Sequence, residues 1–112
     1  MDVKDIDIEL MTDENGHARH VTDNINGKFC AFLFDSEHTV HLQISLEAHQ
    51  DIILYENISI SGVRLIPLKI EAQASGDEKF NFTQSDIYLN DKLNIEVLGM
   101  KNTKVKLKLR YI

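Results

Sequence analysis

Over most of the chain, hydrophobic residues recur at every second position, the spacing that turns one face of a β-strand towards a core and the other towards water. Ile6, Ile8 and Leu10 alternate with Asp5, Asp7 and Glu9, and Val40, Leu42, Ile44 and Leu46 with His41, Gln43 and Ser45. Leu93, Ile95 and Val97 alternate with Asn94 and Glu96. The cleanest alternation is the last, Lys104 to Tyr111. Turn chemistry separates these runs. Asp13-Glu14-Asn15-Gly16 ends in Asn-Gly, which supplies the φ > 0 positions of a tight hairpin. His17 to Asp23 then reads as a return strand, and Asn24-Ile25-Asn26-Gly27 as a second turn of the same kind. Lys28 to Phe34 is nearly all apolar and is expected to be a central strand buried on both faces. Asp35-Ser36-Glu37-His38, Ser75-Gly76-Asp77-Glu78 and Gly99 to Thr103 read as further turns.

The stretch from Glu47 to Ser61 is less regular. A helix over Leu46 to Tyr55 is disfavoured by its shortness and β-branched residues, which leaves strand or loop. Gly62 breaks the pattern, and Val63 to Ile70 forms a long strand interrupted by Pro67. Proline has no N–H for a ladder, so this strand belongs at a sheet edge or carries a bulge. Phe80 and Phe82 open another strand. Eight or nine short strands with turns at intervals of about 8–12 residues predict an all-β fold with under about 15% helix. The expected architecture is a two-sheet antiparallel β-sandwich, with the jelly roll among its forms, in preference to a closed barrel.

With 112 residues the chain makes one domain, residues 1–112. Hydrophobic residues at 43% and charged residues at 27% are ordinary for a folded domain. The formal net charge of -6 makes a poor surface for phosphate backbones, so no nucleic-acid partner is expected. No apolar run approaches the length of a membrane span, and Met1-Asp2-Val3-Lys4-Asp5 lacks the form of a signal peptide. Cys30, the one cysteine, lies among apolar neighbours and is expected to be a buried, inert thiol.

Candidate chemistry is sparse. His17 and His20, and likewise His38 and His41, are spaced i, i+3, which on a strand sends the rings to opposite faces and argues against a metal pair. Asp35, Ser36 and His38 fall in one predicted turn, whereas a catalytic triad is assembled from distant segments. Asp13-Glu14-Asn15-Gly16 resembles the start of a calcium loop, but the last ligand position would fall on Asn24, not an acid. The sequons Asn57-Ile58-Ser59 and Asn81-Phe82-Thr83 match a permissive pattern. The chain has no Trp, and Tyr55, Tyr88 and Tyr111 are the remaining aromatic candidates for a sugar platform. These observations predict no catalytic residues, no cofactor and no metal.

The charges are better ordered than the chemistry. Lys104, Lys106, Lys108 and Arg110 occupy one face of the last strand, and Asp5, Asp7 and Glu9 one face of the first. Either both faces are solvated, with the lysines guarding a strand edge, or the stripes meet, within one subunit or between subunits. These seven residues are the candidate interface.

Thr12-Asp13-Glu14-Asn15-Gly16, Ile60-Ser61-Gly62-Val63, Ile66-Pro67-Leu68, Tyr88-Leu89-Asn90-Asp91-Lys92-Leu93 and Leu107-Lys108-Leu109-Arg110-Tyr111, in that order, resemble small β-sandwich structural proteins of tailed bacteriophages, of the capsid decoration or cement kind or other accessory head proteins. The resemblance implies a non-enzymatic virion protein that assembles in the host cytoplasm, forms a homo-oligomer and binds capsid subunits. The alternative is a β-sandwich binding module for carbohydrate, a host surface or another protein. Exposed tyrosines around a groove would favour the module, and an apolar patch beside a free strand edge would favour lattice binding.

Overall fold

The structure is a computed structural model that describes residues 3–67 and 87–112. Strand accounts for 77% of it and no helix is assigned, as the alternating segments require. Seven strands follow in order: β1 (Lys4–Met11), β2 (His17–Val21), β3 (Ile25–Leu46), β4 (Ile53–Pro67), β5 (Ile87–Asp91), β6 (Leu93–Gly99) and β7 (Lys104–Tyr111). All pairings are antiparallel. They form one curled sheet of order β1-β7-β3-β6-β2, with β4 and β5 also paired to β3. Among the described residues the seven strands, rather than eight or nine, make a half-barrel wrapped about its own core.

The difference arises in β3. The turns expected at Asn24–Gly27 and Asp35–His38 are not reversals, because a single strand of 22 residues runs through both. Its first half pairs with β7, Phe29 opposite Tyr111 through Ser36 opposite Val105, and its second half pairs with β6, Val40 opposite Gly99 through Leu46 opposite Leu93. The polar run Asp35–His38 is where β3 bulges and changes partner. Gly27 serves close approach rather than a turn: a Cβ there would lie 2.5 Å from the Ile112 carbonyl oxygen. Gly62 likewise stays inside β4, at φ 78°. The Pro67 expectation fits as far as the described residues go, where β4 pairs with β3 alone; the remainder of that expected strand, Leu68 to Ile70, lies outside them. The turn at residues 75–78 and the strand opened by Phe80 and Phe82 lie outside the described residues.

The core collects the inward positions of every regular strand: Ile8 and Leu10, Phe29, Phe32 and Phe34, Leu42 and Ile44, Leu93, Ile95 and Val97, and Val105, Leu107 and Leu109. Each such side chain contributes roughly 1.5–3 kcal/mol when fully buried. Contrary to expectation, the Lys28–Phe34 segment is buried on one face only. Phe29, Phe32 and Phe34 point inward, while Leu33 is 38% exposed. A bulge between Phe29 and Ala31 shifts the inward phase, and Cys30 at that bulge is half-buried rather than buried.

Two turns lock together at one end. Asp13 Oδ1 accepts hydrogen bonds from the backbone N–H groups of Asn15 and His17, as Asx turns do. Gly16, at φ 75°, accepts a 2.8 Å bond from the Gly99 N–H, and a Cβ on Gly16 would overlap the Gly99 carbonyl oxygen. Beside them the buried Thr12 hydroxyl donates to the Met100 carbonyl and accepts from the Thr103 N–H.

Candidate functional site: the outer face of β1, β7, β3 and β4

Register decides what the charged stripes do. β1 and β7 pair without a bulge, so Asp5 lies opposite Arg110, Asp7 opposite Lys108 and Glu9 opposite Lys106. Alternation carries all seven side chains to the outer face while Ile8, Leu10, Val105, Leu107 and Leu109 enter the core. The two stripes therefore meet within one chain. Arg110 grips Asp5 with Nε and Nη2 at 2.8 and 3.0 Å. Lys108 Nζ lies 3.8 Å from Asp7, and Lys104 reaches diagonally to Glu9 at 3.0 Å. The Arg110 hydrogen bond holds the Asp5 carboxyl below its ordinary range, and the Lys104 hydrogen bond does the same for Glu9. Lys106, set between Glu9 of β1 and Asp35 of β3, makes no ion pair among the described residues.

Across β7 the same face becomes apolar. Leu33 sits opposite Lys108 on one side and Leu65 on the other, and Asp35 sits between Lys106 and Val63. Val63 and Leu65 are 68% and 72% exposed. Open grooves run along this face. One of about 410 Å³ lies between the β1 acids, Leu33, Lys106 and Lys108, and one of about 300 Å³ is lined by Ala31, Phe32, Leu33, Leu65, Lys108 and Arg110. The surface thus passes from the β1–β7 ion pairs, past Lys106, to a strip of aliphatic side chains that no described residue covers. Sequence reading located the charges but missed Leu33, Val63 and Leu65, because an apolar residue on a strand looks the same whether its face is covered or bare.

The other candidates separate. Ser36 is buried and donates to the His38 carbonyl oxygen at 2.8 Å, while Asp35 faces outward, so these three do not form a relay. His17 faces outward beside Glu96 at 3.8 Å, whereas His20 follows the inward phase of Ala18. His41 lies 2.9 Å from Glu56, which also accepts from Gln43. Among the described residues no three His, Cys, Asp or Glu side chains gather closely enough to hold a metal. Tyr55 packs edge-on against Phe32 at 5.1 Å and its hydroxyl accepts from Asn57, the first sequon asparagine, itself half-buried. Tyr111 packs against the core with Lys4 above its ring, and Tyr88 is 74% exposed. The tyrosines therefore do not surround a common groove.

No family model matches the chain, and no curated protein or solved structure matches it either.

Proposed function

We propose that this chain is a non-enzymatic structural protein that binds other protein subunits through the outer face of β7, β3 and β4, and that its setting is a tailed-phage virion, where it decorates and braces the capsid lattice. The observation that carries the binding role is the uncovered aliphatic strip Leu33–Val63–Leu65 beside the Lys106–Lys108 row, at a strand that pairs on one side only among the described residues. Exposed aliphatic groups rimmed by charge are the usual composition of a protein contact, in which the apolar centre supplies affinity and the charged rim orients the partner. The ion-paired ladder supports this use mechanically, because it fixes the register of the face that presents the strip. The virion setting rests on the resemblance in sequence and adds the identity of the partner.

Electron microscopy of particles incubated with the purified chain tests both parts. Repeated copies on the shell, lost on Leu33→Lys while the fold is retained, are expected. Smooth shells at saturating protein would remove the virion setting, and unchanged decoration by Leu33→Lys would remove this face as the contact.

A further inference from the structure

We propose that β4 is a self-pairing edge: two copies of this chain join antiparallel along Ser59–Pro67, about a two-fold axis that sets Val63 beside its own counterpart. Four strands have one neighbour among the described residues, namely β1, β2, β4 and β5. β2 is five residues long, and short edges are poor templates for pairing; of β5 only Ile87–Asp91 is described. β1 is long but guarded. Pairing it with a second β1 would bring Asp5, Asp7 and Glu9 against carboxylates of the same sign, and pairing it with β4 would set those acids against Val63 and Leu65. β4 from Ser59 to Pro67 carries one charge, Arg64, and bares Val63 and Leu65 on one face. Between the two long described edges, β1 and β4, charge therefore selects β4 against β4.

The residues also select a register. With Val63 on the axis, Leu65 lies opposite the partner's Ser61 and diagonal to the partner's Val63, so the aliphatic groups of both copies form one cluster. Arg64 then falls opposite the partner's Gly62, where even an added Cβ meets nothing within 4 Å, leaving room for the arginine stem. Moving the axis to Arg64 would place two guanidinium groups face to face. Pairing in the first register joins the two aliphatic strips into a single surface across the dimer. This deepens the docking role and rests on the strip being a contact surface, but it needs no particle.

Sedimentation of the purified chain alone provides the test. A dimer is expected, and Val63→Lys and Leu65→Lys should each weaken it by about tenfold or more. Met11→Lys, on the exposed edge of β1, should leave it unchanged. In a Cys30→Ser background, Val63→Cys should form an intermolecular disulfide on mild oxidation far more readily than Leu65→Cys, which has Ser61 opposite. A chain that stays monomeric, a dimer indifferent to both β4 lysines, or equal cross-linking at the two positions would overturn the pairing. Decoration of particles by a monomeric chain would meanwhile leave the docking role standing, so the two failures are distinct.

Discussion

The two halves of the curled sheet share β3 but solve their outer faces differently. In the half built on β1, β7 and the first part of β3, β1 and β7 pair without a slip, and opposite charges meet between them, two on the same rung and Lys104 with Glu9 on the diagonal. In the half built on β2, β6 and the second part of β3, contacts reach between rows. Arg19 bridges Glu47, Asn94 and Glu96, and Glu56 takes both His41 and Gln43. β4 runs along both parts of β3, in unbroken register from Ala31 to Ser36 and with three shifts between Ser36 and Ser45. Unbroken register makes a face periodic and therefore readable, whereas bulges make a face depend on where each slip falls. The cores differ in parallel: Phe29, Phe32 and Phe34 fill the first half, and Leu42, Ile44, Leu93, Ile95 and Val97 the second.

The largest test of this contrast is in the core. Phe34→Ala should cost about 3–5 kcal/mol and Ile95→Ala about 2–5 kcal/mol in chemical denaturation. Because both halves hang on β3, each variant should still unfold in one transition. Separate transitions in the two halves would break the account of a shared core. Next comes the junction of the two turns. Gly16→Ala should cost about 2–3 kcal/mol, because it combines a positive φ with overlap on Gly99, whereas Gly62→Ala, strained but open, should cost about 1 kcal/mol. Equal losses at the two glycines would mean that the close approach is unimportant.

Legibility followed the same division. The β1 and β7 stripes were readable because no slip intervenes between sequence parity and face. The strand nature of most segments was readable for the same reason. The course of β3 was not, because Asn26-Gly27 and Asp35-Ser36 have turn composition and act here as a close approach to Ile112 and a change of partner. Whether the stripes met within or between chains depended on the β1–β7 pairing, a contact between the two ends of the chain. The bare strip of Leu33, Val63 and Leu65 depended on what covers a face, a property that side-chain type does not encode.

Smaller effects belong to the ladder. Lys106→Glu should lower the melting temperature by a few degrees, since it sets a third carboxylate between Glu9 and Asp35, and the loss should shrink in high salt. A salt-insensitive loss would point to packing instead. The pH dependence is smaller still. Asp5 and Glu9 have depressed carboxyl pKa values in the fold, so their contribution is present above the unfolded range of about 4 and fades as pH falls through the folded values. Asp5→Asn should flatten the acid limb of a melting profile and leave the profile above pH ~6 parallel to the parent. An unchanged acid limb would show that solvent screens the Arg110 pair completely.

The length of β3 has a kinetic consequence. Its pairing of Phe29 with Tyr111 encloses a loop of about 80 residues, so the entropy of closure must be met before the contact returns anything. β7 leaves the ribosome after every strand it must join, and until it arrives β1 lacks its neighbour and the first half of β3 has one edge bare. Folding is therefore expected to finish only after synthesis of β7, in milliseconds to seconds rather than microseconds. During that wait, a nascent chain carrying a 22-residue strand is most exposed to aggregation.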